Sequence, residues 1–153
     1  MSLRLPLFPR SLRWGLVGAV AALIAYWSLV TTPPSVTVVG STVAGSPLDR
    51  QTLGPDLPPA AQRHALAYAM FGLALAYALV DSRRSTVRKA MLVFTVATGY
   101  GALMEVGQWF HPDRVAALAD VAVNACGAAT SLTWYGLERR VRFVRLPVDG
   151  TGD

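Results

Sequence analysis

Residues 14–30 read WGLVGAVAALIAYWSLV, seventeen residues in a row without a charge. At 1.5 Å per residue such a helix rises about 26 Å, near the lower limit for crossing the roughly 30 Å hydrocarbon core of a bilayer. Three further apolar runs follow, at residues 65–80, at 90–103 extended by MEVGQWF to 110, and at 115–137, the last broken by Asp120 alone. Together they predict an all-α fold, an integral membrane bundle of four transmembrane helices. Spans are expected at about 14–30, 64–80, 90–108 and 115–137, with an external loop over 31–62. Basic tails, 1–13 and 138–153, flank the bundle. Trp14, Tyr26, Trp27, Trp109, Trp134 and Tyr135 lie near span ends, where aromatic belts form.

Composition points the same way. The 153 residues are 53% hydrophobic and only 15% charged, with a mean hydropathy of +0.40. A soluble domain carries about 25% charge, and one this short could not hide so much apolar side chain. The single cysteine, Cys126, excludes an intramolecular disulfide and a cysteine zinc finger. A cleaved signal peptide is the alternative for the first run, whose n-region would hold Arg4, Arg10 and Arg13. The run is long for an h-region and no small-x-small site follows it, so an uncleaved span is expected.

The formal net charge of +5 is explained by topology. Eleven of the fourteen Lys and Arg residues fall in the N-terminal tail, the 81–89 loop and the C-terminal tail, and only Arg50, Arg63 and Arg114 fall in the other two connections. The positive-inside rule then places both termini in the cytoplasm. Multi-pass localisation in the cell membrane is expected. Acidic lipids, not nucleic acid, are the expected neighbours of the basic residues, and homo-oligomerisation stays open.

Against this apolar background six polar side chains stand out: His64, Glu105, Gln108, Arg114, Asp120 and Asn124. A charge at the bilayer centre costs about 2.5–3.5 kcal/mol on insertion scales, so such residues face the bundle interior and find partners. The topology brings all six towards the outer membrane face. Glu105 and Gln108 are three apart, Asp120 and Asn124 four apart, so each pair shares a helix face. Gly101 extends the first face, and Gly127 and Ser131 extend the second, as stripes suited to close helix contact. The expected result is a polar pocket open to the outside.

Two kinds of chemistry fit that set. Glu105 or Asp120 as general base with His64 as acid/base partner would serve transfer or hydrolysis on a lipid headgroup. Arg114 with Gln108, Asn124 and His64 would serve as a clamp for an anionic headgroup. A purely structural role, stitching short helices together, is the third reading. His111 reads as exposed in its turn and Cys126 as packing. No metal-ligand spacing such as HExxH, no P-loop and no dinucleotide fingerprint is present, so no metal and no cofactor is expected.

The segments RHALAY at 63–68, EVGQWFHPDR at 105–114 and DVAVNACGA at 120–128, in this order, resemble the VanZ-like membrane protein family. The resemblance covers about half the chain. It implies that His64, Tyr68, Glu105, Gln108, Arg114, Asp120, Asn124 and Gly127 are the characteristic positions. Tyr68 thereby joins the candidate ligand-binding residues. The family takes its name from a protein linked to resistance to the glycopeptide teicoplanin, so a role of that type is implied as an alternative. The chain departs from the pattern in its long proline-rich loop and in the apolar residues 116–119, which stand where polar residues often follow the Arg.

Overall fold

The structure is a computed structural model that describes residues 3–30, 59–110, 118–138 and 140–145. The element order is β1 (Leu3–Leu7), α1 (Arg10–Leu29), α2 (Pro59–Ala78), α3 (Thr86–Gln108), α4 (Leu118–Thr130), a 3₁₀ turn (Ser131–Thr133), α5 (Trp134–Glu138) and β2 (Val141–Arg145). The fold is mostly helical. Two helices, α1 and α3, are long and apolar enough to cross a membrane.

Helices α1, α2 and α3 begin earlier than the apolar runs do. Pro59 opens α2, a position that suits proline because the first helical N–H has no intrahelical partner. Ser85 caps α3, its hydroxyl accepting from the Arg88 backbone N–H at 3.4 Å, so Arg88 and Lys89 lie inside the helix. Hydropathy marks where the charges stop, whereas backbone hydrogen bonding continues through them.

Contacts at the ends fix the directions. Arg13, near the start of α1, reaches the end of α2 at Tyr77 and Ala78. Leu29, at the end of α1, lies against Gly107 near the end of α3. Lys89, early in α3, reaches Val80 and Glu138. The four long elements therefore alternate in direction. Helix α2 packs on α1, α3 and α4 and carries much of the core, including Phe71, Ala74, Leu75, Ala76, Ala78 and Leu79.

Close approach is permitted by small residues. A Cβ built on Gly127 would overlap the Ala65 carbonyl oxygen and sit 2.8 Å from its Cα, so α2 and α4 touch backbone to backbone there. Further along, Gly72 receives Ser131, whose Cβ would stand 2.7 Å from an added methyl group. Hydroxyl groups tighten the end of α4. Thr130, Ser131 and Thr133 donate to the carbonyls of Gly127, Ala128 and Thr130 at 2.7, 2.6 and 2.7 Å. Each bond spans three residues, which matches the 3₁₀ geometry of 131–133.

The expectation of an all-α chain is corrected at the tails. β1 and β2 pair in parallel, Leu3 opposite Val141 through Leu7 opposite Arg145. Their sequences, LRLPL and VRFVR, largely alternate apolar with polar or basic residues at the two-residue period of a strand. Pro6 is tolerated because each strand of a two-stranded sheet has a free edge. Its carbonyl accepts from the Tyr77 hydroxyl at 2.9 Å, and that hydroxyl accepts from the Phe8 N–H at 3.1 Å. The rings of Tyr77, Trp134 and Phe143 pack together, with centroids 6.0–6.3 Å apart.

Candidate functional site

Two polar centres lie at opposite ends of the bundle. At the end holding the start of α2, His64 Nδ1 is 3.1 Å from Asn124 Oδ1. With the amide oxygen as acceptor, Nδ1 is the donor of this bond. Asn124 is fully buried, and its Nδ2 has no hydrogen-bond partner among the described residues. Its Cβ and Nδ2 lie 3.0 and 3.1 Å from where a Cβ on Gly101 would be, and Tyr68 Cε1 lies 3.2 Å from the same point. Gly101 is thus the notch through which α3 admits groups from α2 and α4.

Glu105 is 4% exposed and Gln108 5% exposed. They lie three residues apart on the inward face of α3 that also carries Gly101 and Met104. Glu105 is near enough for its charge to act on the Tyr68 hydroxyl. Tyr68 is itself buried, and Phe71, one turn along α2, stacks at 5.1 Å on Tyr100.

Among the sequence-predicted residues, then, His64, Tyr68, Asn124 and Glu105 come together, and Gln108 is buried one turn beyond Glu105. Asp120 lies in the first turn of α4, half-buried, with no hydrogen bond or ion pair among the described residues. There its carboxylate suits the positive end of the helix dipole. Arg114 and His111 lie outside the described residues. Of these residues Tyr68, Glu105, Gln108 and Asn124 are buried and His64 half-buried. Cys126, expected to pack inside a span, is instead exposed on the surface of α4.

The opposite end holds two buried cations that the charge count treated as topology markers. Arg13 is 2% exposed. Its Nη1 donates to Asp81 Oδ1 at 3.0 Å and its Nη2 to Asp81 Oδ2 at 2.6 Å, a two-point fork. Nη1 also donates to the carbonyls of Tyr77 and Ala78 at 3.3 and 3.2 Å. Lys89 Nζ donates to the Val80 carbonyl at 3.4 Å and to Glu138 Oε1 at 3.1 Å. The end of α2 therefore receives positive charge from both neighbouring helices, complementing the negative end of its dipole. The Arg13 hydrogen bonds hold the Asp81 carboxyl below its ordinary range against a smaller opposing effect of burial. Arg13 and Lys89 each lie in the first turn of a helix, Asp81 three residues beyond the end of α2 and Glu138 at the end of α5.

Comparison with protein families, with characterised proteins and with solved structures finds no match to this chain.

Proposed function

We propose that this chain is a VanZ-like integral membrane protein of four spans with both termini in the cytoplasm. In this reading the cluster at the outer end of the bundle binds the headgroup of a lipid or lipid-linked envelope component. The membrane part is supported by the distribution of residues. Only 17% of the apolar window of α1 and 28% of that of α3 is buried, whereas the core helix of a soluble globule is mostly buried. Leu12, Leu16, Leu23, Met91, Leu103 and Val106 face outward, while Arg13, Lys89, Glu105, Gln108 and Asn124 are buried. An apolar exterior over a core that also buries charged and amide side chains suits lipid as solvent.

The observation that carries the binding reading is the hydrogen bond between His64 and Asn124 where α2 and α4 touch. A buried amide orients an imidazole that is itself only half-buried, so His64 presents Nε2 to a ligand arriving at the helix ends. Glu105 and Gln108 are buried on the facing side of α3. Arg114, six residues after Gln108 in sequence, is the proposed cation for a phosphate.

Native mass spectrometry of the purified protein tests this. A co-purifying lipid or lipid-linked headgroup is expected with the wild type and lost in Asn124→Ala and Arg114→Ala. A wild type free of such a ligand, or variants that retain it, overturns the reading. A second reading is acid/base catalysis, favoured by the burial of a carboxylate, Glu105, on the face of α3 that meets Tyr68 and Asn124 at Gly101. It requires that folded His64→Ala and Glu105→Gln lose turnover of that headgroup while Glu105→Gln still binds it.

A further inference from the structure

A cleft of about 530 Å³ opens at the basic end of the bundle, between the start of α1, the connection after α2 and the flank of α3. That size falls within the ~300–1,000 Å³ of small-molecule sites. Its polar wall carries Arg10, Arg83, Arg84 and Ser82, and Trp14 and Leu92 line it with apolar surface. None of this belongs to the His64 cluster at the other end.

Its charge is one-sided. The one acid in the wall is Asp81, and both its carboxylate oxygens are taken by Arg13 from inside the bundle. Arg10, Arg83 and Arg84 are exposed and make no ion pair among the described residues. Three guanidinium groups therefore face a cleft whose anion is already neutralised. A guanidinium fork matches the oxygens of a phosphate and binds them in pairs.

The apolar part is equally specific. Arg10 and Trp14 are four residues apart and share one face of α1. Trp14 and Leu92 are both exposed, although Trp14 lies one turn and Leu92 nearly two turns inside its helix. A ligand that puts negative charge on the arginines must put apolar matter on the tryptophan and leucine. A free inorganic anion satisfies only the first demand.

We infer that this cleft is a binding site for an anionic glycerophospholipid of the inner leaflet, its phosphate held by Arg10, Arg83 and Arg84 and its upper acyl chains laid on Trp14 and Leu92. The inference rests on the membrane reading above but not on the outer cluster. Basic clefts between membrane helices on the cytoplasmic side are the places where anionic headgroups settle.

The test is native mass spectrometry of the full chain in neutral detergent, titrated with phosphatidylglycerol or phosphatidylcholine. One retained phosphatidylglycerol per chain is expected, with little phosphatidylcholine. Each cation near an anionic lipid contributes roughly fivefold, so Arg83→Gln/Arg84→Gln should weaken retention about thirtyfold. Arg88→Gln removes one charge, as Arg84→Gln alone does, from an exposed site outside the cleft and should change retention less than twofold. Trp14→Ala should weaken phosphatidylglycerol while leaving any binding of inorganic phosphate unchanged.

Equal losses in Arg84→Gln and Arg88→Gln would mean diffuse attraction and overturn the site. Displacement of the lipid by millimolar inorganic phosphate would make it a simple anion site and overturn the lipid assignment. Recovery of the chain from cells without detergent would overturn the membrane reading itself, which separates that failure from failure of the cleft. Size-exclusion profiles matching the wild type establish that the variants fold.

Discussion

Arg13 and Asp81 are 68 residues apart in sequence, yet the guanidinium of one grips both carboxylate oxygens of the other, at 3.0 and 2.6 Å. The pair joins the first turn of α1 to the connection after α2. Its two sides are unequal: the Arg13 side chain is 2% exposed and that of Asp81 35%. Losing the acid leaves a buried cation, whereas losing the cation leaves an acid that water can reach. Arg13→Ala also strips two carbonyls of their donor. Asp81→Asn should lower stability by about 1–2 kcal/mol and Arg13→Ala by about 3 kcal/mol, allowing for the solvent at Asp81. Melting in detergent, followed by size-exclusion fluorescence, measures both.

The same pair predicts a pH dependence. Arg13 holds the Asp81 carboxyl below its ordinary value. A depressed carboxyl stabilises the fold fully above the unfolded pKa, near ~3.9, and loses that contribution as pH falls through the folded value. The melting temperature of Asp81→Asn should therefore approach that of the wild type on acidification below about pH 4 and lie well under it at pH 7. A gap that stays constant across the titration contradicts this.

Lys89 and Glu138 join α3 to α5 at 3.1 Å, with side chains 8% and 20% exposed. Glu138→Gln leaves an ammonium buried, so it should cost about 2–3 kcal/mol. The double change Lys89→Met/Glu138→Gln should recover much of that, because it removes the stranded charge. A double variant weaker than Glu138→Gln counts against this account.

Glycines divide sharply by surroundings. Gly127→Ala places a methyl group in the backbone of α2 at Ala65 and should cost about 3 kcal/mol. Gly18→Ala has nothing within 4 Å and lies inside α1, so it should be neutral or stabilise by up to ~1 kcal/mol. Melting temperatures of the two variants, measured side by side, check the contrast.

His64 and Asn124 should be coupled. Asn124→Ala removes a buried side chain and the partner of Nδ1, at a cost of about 1–3 kcal/mol. In a double-mutant cycle with His64→Ala the two losses should fall short of additive by about 1 kcal/mol. Strict additivity means that the hydrogen bond contributes nothing.

Much of the helical frame can be read from residues 14–30 and the three later apolar runs, because apolar content and helix length are local properties. So can the small-residue stripes: Gly101, Gly127 and Ser131 all mark close contacts. The ends resist such reading. Arg13 and Lys89 look like loop charges from their neighbours in sequence, and only partners 68 and 49 residues away show that they are buried. Strand β2 is hidden for the same reason, since VRFVR reads as a basic tail until LRLPL lies beside it. At the candidate site, helix spacing places Glu105 with Gln108. The contact of Tyr68 and Asn124 at Gly101 depends on how three helices are rotated, which no single helix encodes.

The parallel pairing of β1 with β2 also orders events in time. One strand precedes every helix and the other follows all of them, so this contact spans nearly the whole described chain. Contacts of such long sequence separation form late, after the loops between them have closed. The sheet is then the latch that shuts last, once α1–α5 have found their places. A chain stopped before Val141 could assemble its helices but not fasten them, and it would open most readily where Tyr77 and Trp134 meet the missing Phe143.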